Sequence, residues 1–348
     1  MIAVVKVGSS SVTPDTVARL CAELAAVRGD GHTVVVVTSG AIAAGWGALG
    51  RGEPRPSDPA VLQAVSAVGQ HRLMRIWQDG LDPHGLLAGQ VLLAPLDFVH
   101  RTQYLHARGT LRHLVDLGVV PIVNENDAVA DEEIRFGDND RLAALVAHLV
   151  GAQLLVLLTD APGLLTADPR RDTEASLIEE VVEIDYQLEQ LAGGPGSAVG
   201  SGGMASKLAA AKIATWSGVE TLIADAGRPG VLGAALAGEA GTGTMFRARE
   251  GRLPARKLWI AFALGSSGRL TVDDGARAAL TDRGRSLLAA GVVGVSGAFR
   301  PDDAVEIAGP DGTVFAKGLV RLHAERSGEW MGKRSQVVVH RDDLVLVT

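Results

Sequence analysis

The chain has 348 residues, 47% hydrophobic and 21% charged, and its 33 Lys and Arg against 40 Asp and Glu leave a net charge of −7. That length exceeds one comfortable core and predicts two domains, one large and one small. The composition excludes a disordered or fibrous chain, and the acidic balance argues against a whole-chain nucleic-acid binder. A single cysteine, Cys21, excludes an internal disulfide, and no apolar run is long enough to span a membrane. A cytoplasmic location with no membrane partner is therefore expected.

Residues 2–7 and 33–38 are short, continuously apolar and rich in β-branched residues, as strands buried on both faces should be. Between them Val17, Leu20, Cys21, Leu24 and Val27 share one helical face, which ends at Gly29 and Gly31; Cys21 thus reads as a buried core thiol. The alternation continues with helices expected over 59–79, 97–116, 140–150 and 203–217 and strands over 86–93, 119–123, 153–159 and 219–224. This pattern predicts an α/β fold with a doubly wound, mainly parallel sheet. The polar stretch 247–257 reads as a linker. Beyond it, strand-like runs at 258–264, 292–295, 305–307 and 337–339, with a helix near 274–285, predict a small β-barrel-like domain.

In an open parallel sheet, ligands sit beyond the carboxyl ends of the strands, and several polar segments fall there. Lys6 interrupts a buried strand, which is costly unless the strand is ending or the charge is paired. Gly8-Ser-Ser-Ser and Thr38-Ser-Gly-Ala follow two strand ends, where backbone N–H groups can receive an anion. The alternative there is a solvated lysine and two ordinary turns. Asn124-Glu-Asn-Asp127 and Gly137-Asp-Asn-Asp140 either enclose one small polar ligand or form two acidic turns. The strand 154–159 ends in Asp160, a candidate for ribose or a metal-bound water. Gly200-Ser-Gly-Gly-Met-Ala-Ser-Lys207 opens a strong helix, placing glycines where amides can approach phosphate, with a cation in the first turns that opposes the helix dipole.

Some motifs point elsewhere and fail on context. The glycine segment at 200–207 does not fit the Walker pattern. Gly45-Trp-Gly-Ala-Leu-Gly50 matches a dinucleotide fingerprint, but it begins seven residues after its strand with a helix already starting. His100, His106 and His113 lie on one expected helix at spacings of six and seven, not the i, i+4 of a metal pair, and read as exposed.

Taken in order, Lys6-Val-Gly-Ser, Thr38-Ser-Gly-Ala-Ile, Asn124-Glu-Asn-Asp127, Gly137-Asp-Asn-Asp140, Leu158-Thr-Asp-Ala-Pro-Gly163 and Gly202-Gly-Met-Ala-Ser-Lys207 resemble the amino acid kinase family, most closely its glutamate 5-kinase branch. The resemblance covers roughly residues 1–246, and the tail resembles a PUA domain. It implies an amino acid kinase domain over 1–250 and a PUA domain over 257–348. The implied activity is ATP-dependent phosphorylation of the side-chain carboxylate of L-glutamate to L-glutamyl 5-phosphate, the first step toward proline, with Mg2+ carried largely by ATP. Lys6 and Lys207 would neutralise the phosphoryl oxygens and Asp140 would hold both lysines. Ser39, Asn124, Asp127 and Asn139 match glutamate-binding positions, Asp127 taking the α-ammonium and neutral donors the carboxylates. Lys6, Thr159, Asp160 and Ser201, Gly202, Gly203, Met204, Ala205, Ser206 and Lys207 match the ATP side. Glu133 occupies a position implicated in feedback inhibition by proline, within an Asp131-Glu-Glu133 run more acidic than the family pattern. A homo-oligomer, dimer or tetramer, and channelling to a glutamyl phosphate reductase are further expected partnerships. Alternatives are a kinase of this fold acting on N-acetylglutamate, aspartate or a nucleoside monophosphate, or an RNA-binding protein using the PUA-like tail. That tail holds twelve Lys and Arg against eleven Asp and Glu over 257–348, which is no basic footprint.

Overall fold

The computed structural model describes residues 1–52, 54–55, 57–98, 100–129, 139–167, 172, 174–191 and 203–347. The chain divides into two compact units, Met1–Arg252 and Leu253–Thr348. The first unit carries β1 (Ile2–Val7), α1 (Pro14–Gly29), β2 (Thr33–Thr38), α2 (Ala41–Ala48), α3 (Pro59–Leu81), β3 (Ala88–Leu93), α4 (Arg101–Asp116), β4 (Val120–Glu125), α5 (Asn139–Val150), β5 (Leu154–Thr159), β6 (Glu180–Val181), α6 (Tyr186–Leu191), α7 (Met204–Trp216), β7 (Glu220–Asp225), α8 (Val231–Ala237) and β8 (Gly243–Phe246).

These strands form one eight-stranded sheet in the order β3-β4-β2-β1-β5-β7-β8-β6. Every neighbouring pair is parallel except β7 with β8. From β1 the chain first builds outward through β2, then returns after β4 to lay β5 on the other side of β1. The order therefore reverses at β1, and the carboxyl ends of β1, β2, β4 and β5 converge on one crevice, the usual place for a ligand in such a sheet.

Local chemistry fixes the helices. Thr13 caps α1 by accepting from the Thr16 amide at 3.3 Å, and Asp58 caps α3 by accepting from Ala60 at 2.9 Å, each ahead of a proline in the first turn. Val17, Leu20, Cys21, Leu24 and Val27 pack inward against β1 and β2, and burial pushes the Cys21 thiol up to about 12. The Trp77 indole N–H, deep in α3, donates to Thr38 Oγ1 at 2.9 Å, so the only polar atom of that ring is satisfied inside the core.

The first glycine of the apparent dinucleotide fingerprint has a different use. Gly45, in α2, faces α3 so closely that a Cβ on it would lie 2.0 Å from the Val65 carbonyl oxygen, and a Cβ on Gly69 would lie 1.7 Å from that of Ala41. The two helices thus meet backbone to backbone. Gly40, with φ of 106°, makes the left-handed turn that swings the chain from β2 into α2, a conformation that favours glycine.

The second unit contains α9 (Ala255–Leu258), β9 (Gly268–Val272), α10 (Asp274–Thr281), β10 (Leu287–Leu288), β11 (Val292–Gly297), β12 (Ala304–Ala308), β13 (Val314–Val320), α11 (Ser327–Trp330) and β14 (Val337–Leu346). Its six strands form a sheet of order β10-β14-β13-β12-β9-β11, curled by register shifts in four of its pairings. Leu270, Ile307, Phe315, Trp330 and Val339 sit in its core.

The run 258–264, expected as a strand, is instead the end of α9 followed by a wide turn of helix over Trp259–Ala263. Leu258, Trp259 and Ile260 are all buried, and a short, fully buried apolar run carries no period to separate strand from helix. Two influences select the helix. The Pro254 carbonyl accepts from the Lys257 and Leu258 amides to start it, and Lys317 donates to the Leu264 carbonyl to stop it. A second difference concerns β4, which continues past Val123 through Asn124 and Glu125, paired with Leu92 and Leu93. Both polar residues therefore belong to the sheet edge rather than to a following turn.

Candidate functional site

Lys6 is the last residue but one of β1 and is only 4% exposed, so its ammonium is inside the protein, not solvated. Asp140, 0% exposed, faces it from the first turn of α5, where the positive end of the helix dipole favours a carboxylate. Nine of the twelve residues of α5 are buried, which anchors that first turn. Lys6 Nζ pairs with Asp140 Oδ1, and Lys207 Nζ, 5% exposed in the first turn of α7, lies 3.3 Å from Oδ2. Ser206 Oγ donates to the same Oδ2 at 2.9 Å. Burial raises the Asp140 carboxyl, but the charges of Lys6 and Lys207 and hydrogen bonds from Lys6 and Ser206 outweigh it and hold the group below the usual carboxylate range. The Asp140 carboxylate is thus shared by two buried ammonium groups beneath the crevice. The penalty of a cation in the first turn of α7 is offset by Asp140 itself.

Above this triad is a cleft of about 550 Å³. Lys6 and Lys207 form part of its floor, the turn Gly8–Ser10 after β1 and the start of α2 its walls, and Thr159 and Asp160 at the end of β5 one side. Thr159 Oγ1 donates to Asp160 Oδ1 at 3.1 Å. The opposite side is made by Ser39, Asn124, Asp127 and Asn139. Asn139 spans two strand ends, donating from Nδ2 to Ser39 Oγ at 2.9 Å and accepting at Oδ1 from the Glu125 amide at 3.2 Å. Asn124, 1% exposed, donates from Nδ2 to Gln70 Oε1 at 2.9 Å.

The fold thus gathers Lys6, Ser39, Asn124, Asp127, Asn139, Thr159, Asp160 and Lys207 around one cavity, with Asp140 directly beneath it. Gly203 is the N-cap of α7, and Met204, Ala205 and Ser206 form its first turn with Lys207, off the cavity surface. Ser201, Gly202 and Glu133 lie outside the described residues. The expected helix histidines, His100, His106 and His113, are exposed and take no part.

Sequence reading missed Arg55, Leu62, Gln63 and Glu125, which also line the cleft. Glu125 stood inside the Asn-Glu-Asn-Asp motif and was passed over. Leu62 and Gln63 could have been found from the Asp58-Pro59 cap, which fixes the helix start; Arg55, between prolines, carries no such signal. Among the described residues no group of three His, Cys, Asp or Glu side chains could hold a metal ion, and no helix is long and apolar enough to cross a membrane.

Residues 1–225 match the amino acid kinase family, and residues 268–341 match the PUA domain. Among curated proteins the chain is 42% identical to a glutamate 5-kinase of Pelobacter propionicus, over 99% of this chain and 97% of that one. It is 45% identical to that of Burkholderia multivorans over the same shares. Among solved structures it resembles an aspartate kinase from Synechocystis, with a TM-score of 0.50 and 19% identity over 72% of this chain and 41% of that one. A carbamate kinase from Giardia lamblia gives 0.51 and 17%, over 71% and 98%. These two likenesses speak for the fold alone. The family match over most of the first unit, and relatives of one kind along nearly the whole chain, lead to one assignment: the chain belongs to the amino acid kinase family, in its glutamate 5-kinase branch, with a PUA domain following the kinase domain.

Proposed function

We propose that this protein transfers the γ-phosphoryl group of ATP to the side-chain carboxylate of L-glutamate, giving L-glutamyl 5-phosphate and ADP, the first step toward proline. The observation that carries the reading is the buried Lys6–Asp140–Lys207 triad under a cleft that also presents the neutral groups of Ser39, Asn124 and Asn139 beside the carboxylates of Glu125 and Asp127. A carboxylate is already a competent nucleophile near neutral pH, so the site needs no general base. A glutamate carboxylate oxygen attacks the γ-phosphorus, the bond to the β,γ-bridging oxygen breaks, and that oxygen leaves with ADP. Catalysis then reduces to alignment and to stabilising the charge spread over the transferring oxygens.

Each residue has a part in this reading. Lys6 and Lys207 neutralise the transferring group, and Asp140 keeps both ammonium groups aimed at it. Ser39, Asn124, Asp127 and Asn139 hold glutamate, with Asp127 taking the α-ammonium. Thr159, Asp160 and Ser201, Gly202, Gly203, Met204, Ala205, Ser206 and Lys207 receive the nucleotide. Mg2+ would be held largely by ATP oxygens and waters, as its reluctance to shed water favours, and Asp160 is a candidate to meet one of those waters. Residues 1–250 would act as the catalytic domain and 257–348 as the PUA domain. Proline inhibition through Glu133, assembly as a dimer or tetramer, channelling to a glutamyl phosphate reductase and a cytoplasmic location belong to the same proposal. RNA binding by the PUA domain is not part of it, given the near-neutral charge of that segment. Trapping the acyl phosphate with hydroxylamine tests the reaction: ATP-dependent glutamyl hydroxamate is expected, and its absence, or a preference for N-acetylglutamate or aspartate, would refute it.

A further inference from the structure

Asn124 donates to Gln70, but its own Oδ1 is buried and has no hydrogen-bond partner among the described residues. Gln70 Nε2 is in the same condition. The two amides therefore share a single bond, and Asn124, a residue of the cleft lining, carries a buried acceptor that no described residue satisfies. A buried carbonyl oxygen left unpaired costs about 1–3 kcal/mol, so it is a place where a ligand donor gains most. Glutamate at neutral pH has one donor only, its α-ammonium; both carboxylates can only accept. We infer that Gln70 is a positioning residue that turns the Asn124 amide oxygen toward the α-ammonium of the acceptor substrate, and so helps select an amino dicarboxylate over a plain dicarboxylate. This deepens the proposed glutamate kinase reading and rests on it.

The position of Gln70 suits the task. It follows Gly69, whose backbone touches that of Ala41, so the α3 turn carrying Gln70 is pinned to the start of α2 at the cleft wall. The opposite arrangement of the two amides, with Gln70 donating to Asn124, would preserve one hydrogen bond but offer the cleft a donor, which an ammonium cannot use. A carboxylate at position 70 can only accept, and so permits the first arrangement alone.

Two variants separate these cases, with KM for L-glutamate, KM for ATP and the Ki of glutarate, the dicarboxylate without an amino group, measured for each. Gln70→Met keeps the length but cannot hold Asn124. Its KM for glutamate should rise by about tenfold, the size of one lost hydrogen bond to a charged group, with KM for ATP and Ki for glutarate unchanged. Gln70→Glu should remain within about threefold of wild type for all three. The inference is overturned if Gln70→Met leaves the glutamate KM unchanged, if glutarate weakens in step with glutamate, or if Gln70→Glu loses glutamate as badly as Gln70→Met. Should Gln70→Met fail to fold, Gln70→Glu decides alone, a tenfold loss of glutamate affinity overturning the inference. Wild-type hydroxamate formation tests the underlying reading separately: an inactive wild type sinks the kinase proposal, whereas an active wild type with an unaffected Gln70→Met sinks only this one.

Discussion

Replacing Asp140 by Asn changes almost no volume but removes the one negative charge between two buried ammonium groups. At an effective interior dielectric near 20, unit charges 3.3 Å apart, as for Lys207 and Asp140, attract by about 5 kcal/mol. The cost of burying Asp140 offsets part of that attraction in the native protein. Its removal takes the shared carboxylate away from both buried ammonium groups, and breaking such a buried pair costs about 3–5 kcal/mol. Asp140→Asn should therefore lose that much stability in urea unfolding, and its kcat should fall by roughly 10²–10³, the scale for one misplaced electrostatic contact to a transferring group. The mechanism adds a sharper expectation. Without its internal anion, the site should gain more from an external one, so ATP or inorganic phosphate should raise the unfolding midpoint of the variant more than that of wild type. A variant that loses less than about 1 kcal/mol, keeps activity within tenfold of wild type and responds to phosphate like wild type would refute this account of the triad.

Gly69→Ala would drive a methyl into the Ala41 carbonyl, 1.7 Å away, and push α2 off α3; a loss of about 1–3 kcal/mol by thermal unfolding is expected, with a raised KM for glutamate because the start of α2 walls the cleft. His148, near the end of α5, has its pKa brought down to about 4, by burial first and by Arg252 and Arg108 next. Its folded pKa lies below the unfolded value of 6.5, so the unfolded chain binds the extra proton. Its contribution is fully present above pH 6.5 and lost as pH falls toward 4, a span worth about 3 kcal/mol. His148→Gln should flatten the stability profile across that window in denaturation at stepped pH, and an unchanged slope would count against it.

Strands buried on both faces write themselves as continuous apolar runs, which is why β1, β2, β4, β5 and β7 were legible in the sequence, whereas the short β6 and α6 were not. Lys6 was legible for a related reason: a charge inside such a run demands a partner, and Asp140 is that partner. Contacts between distant elements leave little trace. Gly45 and Gly69 look like ordinary helix residues, and nothing local says that each faces a backbone oxygen of the other helix. The segment 258–264 was misread because its register in the helix is set by Pro254 and Lys317 rather than by its own pattern. Strand β13 was missed because Lys317 and Gly318 interrupt its apolar run. Gln70 was invisible because one glutamine on a helix says nothing about an asparagine 54 positions away.

In the proposed reaction Lys6, Asp140 and Lys207 serve phosphoryl transfer to a glutamate carboxylate. The most direct test is hydroxylamine trapping with wild type and Lys207→Met, at saturating ATP and Mg2+, across glutamate, N-acetylglutamate and aspartate. Wild type should give glutamyl hydroxamate, with glutamate far preferred, and a folded Lys207→Met a rate at least about 10²-fold lower. Glutamyl hydroxamate formed equally fast by both proteins, or none from wild type with any of the three acids, would contradict this assignment.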